Sequence, residues 1–435
     1  MNTSLLYEYN PWWYNADAID DDRNIRTAKS ESPRKEYSFE NDNLLLIGPR
    51  QVGKTTYMKL IIMDLIKHRG VDPKQILYFS FDDLNRENIR DIIDTYRSIP
   101  FPRKEEKTYF FFDEITSIDS WNIQIKALLD LGFFDKNYLC LSGSSSVALK
   151  KESCPGRNIT IRKFLPMTYR EYIELFGPNE IKEVLSGKRT TEDQDAFISQ
   201  MSQYLPSLNQ LFTDYINSGG FLSSAYRYRK GEDLSFLFEL YWNAVMGDVS
   251  NSNRSIITAK SVIQGIIKNY STAYGYNSLA KDMGRPSHMT VKSYLELFES
   301  LFFAFSIFQY DKTKKKSLYS HFRKTYFMDP FLYHVARSKL YSGKIDDEVY
   351  GALIESAVAS NLLRKYENLS FLRSKKELDF YIPSSDTGIE VKKGDGNPGD
   401  FSVKDGIRNK VVLSHDSFNL KSDVKVVPAS IYLLL

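Results

Sequence analysis

Short, largely apolar runs mark the first part of the chain: residues 44–47 (LLLI), 76–81 (ILYFSF), 108–112 (TYFFF) and 138–141 (YLCL). A strand covered on both faces has no polar alternate positions, so each run predicts a buried strand of a parallel sheet. After Leu165 this pattern stops. Segments such as YREYIELFG, DAFISQMSQYL, LNQLFTDYI and LSFLFELYWNAV place apolar residues three and four apart and predict a small helical bundle, interrupted by SGGF at 218–221. Residues 277–310 predict two helices about a tight turn. The first ends at Gly284, Arg285-Pro286 turns the chain, and Ser287 caps a second helix whose apolar face is Val291, Tyr294, Leu295 and Phe298. DKTKKKS (311–317) would join two following strands as a wing. Beyond 329 the pattern predicts a helix at 349–366 and strands at 369–374, 377–383 and 388–394.

The first apolar run leads into G-x4-G-K-T. Gly48, Pro49, Arg50, Gln51, Val52 and Gly53 form a loop whose N–H groups can wrap phosphates. Lys54 would reach the β/γ-phosphates, Thr55 would ligate Mg²⁺, and Thr56 continues the helix that points its positive end at the anion. The third run ends in Asp113-Glu114. Asp113 would complete the metal shell and Glu114 would polarise the attacking water as general base. The fourth leads into SGSSS (142–146), where Ser142 or Ser144 would lie beside the γ-phosphate, because ligands gather at the carboxyl ends of parallel strands. Arg157, after a Pro-Gly turn, would supply positive charge to the transferring phosphoryl group, in cis or from a neighbouring subunit.

These motifs, with YNPWW (9–13) before them and LPMTYREY (165–172) behind, resemble the archaeal AAA-type ATPases, relatives of the signal-transduction AAA branch. The resemblance implies an α/β P-loop core with a doubly wound parallel sheet (1–164), a helical lid (165–249), a winged helix-turn-helix (250–328) and a restriction-endonuclease-like α/β domain (329–435). ATP and Mg²⁺ are the cofactors it implies. Trp12, Trp13 and Tyr14 are expected to cap the core by packing. Arg227 and Arg229 of the lid are expected at the surface.

In the last segment, Asp379, Glu390 and Lys392 resemble the PD-(D/E)XK nuclease pattern, with Glu355 as the helical acid and Glu377 on the same side as Asp379. Asp379 and Glu390 would bind Mg²⁺ through hard oxygens. Positions i and i+2 of a strand share a face, so Lys392 would sit beside Glu390 and orient water or neutralise charge. Lys312, Lys314, Lys315, Lys316, Arg323 and Lys324 face only Asp311 within 311–324, a basic stretch suited to DNA phosphates. The second helix of the pair works against base reading, since it carries Glu296 and Glu299 with only Lys292.

Composition narrows the class. Of 435 residues, 42% are hydrophobic and 26% charged, which is a globular balance. Net charge is +3, so any nucleic-acid signal must be local. Two cysteines exclude a disulfide scaffold and suit a reducing cytoplasm. The longest apolar run, 301–310, is too short to span a bilayer, and the N-terminus shows no secretory pattern. The expected function is a Mg-dependent ATP-binding and ATP-hydrolysing enzyme coupling nucleotide state to a DNA-binding half, with DNA cleavage left open and a homo-oligomer allowed. The alternative is an ATP-driven switch that binds protein partners.

Overall fold

Five parallel strands carry the first sheet: β1 (Asn43–Ile47), β2 (Ile76–Ser80), β3 (Tyr109–Asp113), β4 (Tyr138–Gly143) and β5 (Ile159–Lys163), in the spatial order β2-β3-β4-β1-β5. The first four are the apolar runs of the sequence, and β1 and β4 are buried along their whole length. The fifth was not anticipated. It is an edge strand with two exposed positions of its first three, so it lacks the apolar continuity that marks the others. The computed structural model describes residues 3–31, 42–82, 88–100, 106–118, 120–144, 159–187, 194–284, 287–342, 346–373, 376–403 and 406–435. It divides into two compact units, Met1–Leu165 with Ser300–Phe302, and Pro166–Glu299 with Phe303–Leu435.

In the first unit, β1 feeds the phosphate loop and then helix α3 (Lys54–Lys67), after α1 (Thr3–Tyr9) and α2 (Arg23–Ser30). Helices α4 (Ile89–Ser98) and α5 (Trp121–Asp130) lie between later strands. The N-terminal segment closes the β2 edge. Asn10 accepts from the Tyr78 N–H at 2.7 Å and donates to the Tyr78 carbonyl at 2.9 Å, and the Trp13 indole donates to the Ile76 carbonyl at 2.8 Å. Trp12 and Trp13 are buried, as capping by packing requires. Tyr14 is 75% exposed and takes no part in that cap.

The second unit opens with helices α6 (Tyr169–Phe176), α7 (Asn179–Ser186), α8 (Gln194–Met201), α9 (Leu205–Ser218), α10 (Leu222–Arg229) and α11 (Ser235–Asn251). Then come α12 (Ile256–Lys268), α13 (Tyr276–Asp282), α14 (His288–Ser300), β6 (Ala304–Asp311), β7 (Lys316–Ser317) and β8 (Arg323–Phe327). This is a winged-helix succession, and Tyr274, between α12 and α13, pairs antiparallel with Arg323 of β8 to close it. Ser287 accepts from the Thr290 N–H at 3.2 Å, and Val291, Tyr294, Leu295 and Phe298 are buried, as the sequence predicts. Arg227 and Arg229 are partly exposed and lie within 4 Å of Glu232 and Asp214.

The tail adds α15 (Pro330–Leu340), α16 (Asp347–Lys365), β9 (Ser370–Arg373), β10 (Glu377–Ile382), β11 (Thr387–Val391), β12 (Asn409–Ser414), β13 (Val424–Pro428) and α17 (Ala429–Tyr432). The wing and tail strands form one eight-stranded sheet, because β6 pairs parallel with β9. β10 is antiparallel to both neighbours, while β11, β12 and β13 run parallel.

The SGGF segment is pinned rather than free. Asp329, which is buried, accepts from Gly220 N–H at 2.8 Å and Phe331 N–H at 2.9 Å, capping α15. Gly219 has φ +68°, and a Cβ there would stand 2.1 Å from Asp329 Oδ1. Asp329→Ala leaves two buried donors without an acceptor. It is expected to destabilise this unit by roughly 2–4 kcal/mol, read as a lower urea midpoint at unchanged m-value.

Candidate functional site

The carboxyl ends of β1, β3 and β4 bring the phosphate loop, the acidic pair and the serines together. The loop is shaped by left-handed residues: Gln51 has φ 61° and Gly53 φ 103°, which turns successive N–H groups inward. Gly48 lies against β4, its N–H donating to the Gly143 carbonyl at 3.2 Å. Lys54 is buried and donates to the carbonyls of Gly48 and Pro49, both at 2.9 Å. The loop is thus folded onto its own lysine, and a phosphate would replace those carbonyls as its partner. Arg50 makes a 3.3 Å ion pair with Asp82.

Thr55 Oγ1 donates to Asp113 Oδ2 at 2.6 Å. A hydroxyl and a carboxylate this close form a hard-oxygen pair that fits Mg²⁺, which on binding would neutralise charge on bridging phosphates. Asp113 is held from three further sides: the Ser142 hydroxyl donates to Oδ1, Tyr78 O–H donates to Oδ2 at 2.8 Å, and the Glu114 N–H donates to Oδ1 at 3.2 Å.

Glu114 is buried and has φ 50°, an uncommon conformation for this residue type. Its Oε1 accepts from Ser144 N–H at 2.7 Å and Thr116 Oγ1 at 3.0 Å. Burial opposes its ionisation, but Lys54, the hydrogen bonds from Ser144 and Arg50 together hold the carboxyl below its ordinary value. A lowered pKa keeps the base ionised as pH falls. The ATPase kcat/KM is therefore expected to show no loss assignable to Glu114 between about pH 7 and pH 5. A limb in that window that disappears in Glu114→Gln would contradict this placement.

The two serines divide the work. Ser142 fixes Asp113 and also receives the Glu114 N–H at 3.0 Å, whereas Ser144 holds the Glu114 carboxylate. Arg157 lies outside the described residues. Tyr78, Lys59, Thr116 and Asn10 carry no motif in the sequence. Lys59 is buried with its Nζ 3.6 Å from the Tyr78 ring centre and 3.5 Å from Asp22 Oδ2, and burial drives its pKa down to about 8 against the pull of Asp22. It supports the tyrosine that positions Asp113.

The second cluster is in the tail. Asp379 lies where the β9–β10 register shifts, between Leu378 and Tyr381. Its Oδ2 accepts from Val391 N–H at 2.9 Å. Lys392 Nζ donates to Glu390 Oε1 at 3.1 Å, so these two share a side as expected, and Ser402 Oγ donates to Glu390 Oε2 at 2.9 Å. The unexpected member is Lys324, whose Nζ lies 3.1 Å from Glu355 Oε1, 3.0 Å from Glu377 Oε1 and 3.1 Å from Asp379 Oδ1. Burial disfavours its charge, but Glu355, Asp379 and Glu377 outweigh this and raise its pKa.

Arg323 and Lys324, expected among the wing cations, are not exposed there. Each is 1% exposed, because β8 is buried along its whole length. Arg323 stacks over the Tyr276 ring at 3.3 Å. Lys312 pairs with Asp386 at 2.7 Å. Lys314, Lys315 and Lys316 remain as the exposed wing cations.

The parallel order of the first sheet, the loop and the acidic pair define a P-loop NTP hydrolase of the AAA type. An AAA domain model matches residues 40–173, and a domain of unknown function (DUF8612) matches 209–341. The chain is similar to the uncharacterized protein MJ1637 of Methanocaldococcus jannaschii, 25% identical over 91% of this chain and 86% of that protein. It is also similar to an uncharacterized protein of Haemophilus influenzae, 24% identical over 80% of this chain and 81% of that protein. Relatives therefore occur in an archaeon and in a bacterium. Among solved structures, the Aeropyrum pernix ORC1 protein in complex with DNA aligns at 12% identity over 75% of this chain and 96% of that chain, with a TM-score of 0.32. The Thermotoga maritima RuvB Holliday junction branch migration motor aligns at 18% over 61% and 81%, with a TM-score of 0.28. Likenesses this low add nothing to the assignment. Among the described residues no helix is long and apolar enough to cross a membrane.

Proposed function

We propose that the chain is a Mg-dependent ATPase whose nucleotide state governs DNA contact by the winged-helix region. The observation that carries the ATPase reading is the convergence of Lys54, Thr55, Asp113 and Glu114 at one end of the parallel sheet, with Glu114 fixed by Ser144. Asp113 and Thr55 hold the metal in this reading, and Glu114 takes the proton of the attacking water. Arg157 adds charge at the γ-phosphate, in cis or from a second copy. DNA contact rests on Lys314, Lys315 and Lys316 at the wing tip, where cations can lie along phosphates.

The test is ATP turnover with and without duplex and branched DNA, with Lys54→Ala as the control that must lose nucleotide binding. Stimulation of more than a few-fold supports the reading. For the wing, replacing all three lysines by alanine is expected to lower the slope of log affinity against log salt by about 2 to 3. An unchanged slope removes the wing from the interface.

A second reading, a switch that binds protein partners, is favoured by α14. Its exposed face includes His288, Met289 and Glu296, and Lys292 lies 3.9 Å from Glu296, which offsets its charge. Turnover indifferent to every DNA offered would favour this reading.

A further inference from the structure

A divalent ion in the tail would have to share the oxygens of Asp379 and Glu390 with the groups that already donate to them. Asp379 Oδ1 accepts from Lys324 and Oδ2 from the Val391 N–H. Glu390 Oε1 accepts from Lys392 and Oε2 from Ser402. The helical acid Glu355 accepts at one oxygen from both Lys324 and Tyr326, the latter at 2.6 Å.

The arrangement is built into the strand pattern. Lys324 and Tyr326 are two apart on β8, so they share a face, and that face meets Glu355 of α16. An ammonium has three donors and no acceptor, and Lys324 has three carboxylate oxygens within 3.1 Å. Its charge is buried and paired with carboxylates, the condition under which a buried lysine persists. A metal taking these oxygens at about 2.0–2.6 Å would stand beside an ammonium that is itself 1% exposed, two positive charges competing for one set of ligands.

We propose that Lys324 is the resident cation of this centre and excludes a divalent metal. The cluster then binds the last strand of the winged helix to the tail as an ion-pair hub, and is not a metal-dependent phosphodiesterase centre. This is independent of the ATPase reading, which concerns the other unit.

The test is Mn²⁺ occupancy, read by electron paramagnetic resonance on the full nucleotide-free chain. Wild type and Asp379→Asn should bind Mn²⁺ equally, since any binding at the phosphate loop is common to both. Lys324→Met should gain one site per chain, lost again in Lys324→Met/Asp379→Asn. Asp379-dependent Mn²⁺ binding in the wild type would overturn the proposal. So would a folded Lys324→Met, with wild-type ATP turnover, that gains no site. Should Lys324→Met fail to fold, the wild-type and Asp379→Asn pair still decides. A second readout is cleavage of duplex DNA in Mn²⁺, where Asp379-dependent cutting by the wild type would also overturn it.

Discussion

Glu114→Gln is expected to bind ATP with near wild-type affinity and to hydrolyse it about 100-fold or more slowly, as loss of a general base requires. The geometry makes this substitution a clean one. Glutamine keeps an oxygen for the Ser144 N–H, the 2.7 Å bond that fixes the side chain, so its position survives while its basicity does not. Lys54 and Thr55 are untouched, and they carry the phosphate and metal contacts. The measurement pairs nucleotide affinity with single-turnover hydrolysis, so that binding and chemistry are read apart. Loss of affinity in parallel with rate would mean that Glu114 shapes the pocket. Equal turnover in both proteins would remove it as the base. Ser144 reaches this carboxylate through its backbone N–H as well as its side chain, so a change of its side chain removes only part of that hold.

The parts of the site that were legible are those carried by local rules. Continuous apolar runs identified β1 to β4, and glycine spacing identified the phosphate loop. The acidic pair stood at the end of a strand that had to point at the nucleotide. Ser287 and the apolar face of α14 followed from capping and helical period. What could not be read depends on contacts between distant segments. Tyr78 supports Asp113 across 35 residues, and Asn10 holds the β2 edge from 68 residues away. An alternating or apolar pattern says that Tyr78 is buried, but not that its hydroxyl has an anionic partner.

Lys324 shows the same limit more sharply. In sequence it ends a basic stretch, and a basic stretch is usually a solvated face. Its neighbours on the strand, Thr325, Tyr326 and Phe327, are all buried, so β8 passes through the interior and carries its cations inward. Arg323 then covers an aromatic ring and Lys324 meets three carboxylates. The acids of the tail are legible in the sequence, but the cation that joins three of them comes from the segment assigned to the wing. Strands β12 and β13 were also unread, because the nuclease-like pattern stops at the E-x-K step. They extend the sheet beyond the strand on which Glu390 sits.

The other large effect concerns Gly48. A Cβ built there stands 1.8 Å from the carbonyl oxygen of Phe164 and 2.8 Å from its carbonyl carbon. Both are backbone atoms, so no rotamer change relieves the clash. Phe164 is itself tied to the sheet, its N–H donating to the Ile47 carbonyl at 2.7 Å, and its ring lies 5.5 Å from that of Tyr57 on α3. Gly48→Ala must therefore part the loop from the residue that follows β5, at a cost expected to exceed about 3 kcal/mol. Gly53→Ala is the comparison. Gly53 has φ +103°, but the nearest atom to its Cβ is 3.9 Å away, so it bears the backbone strain without the collision, about 1–3 kcal/mol. Denaturant unfolding of the first unit should place Gly48→Ala below Gly53→Ala, and nucleotide affinity should fall in the same order. Reversal of that order would mean that the loop is not closed against Phe164, and that the conformation of Gly53, not the packing of Gly48, limits the cradle.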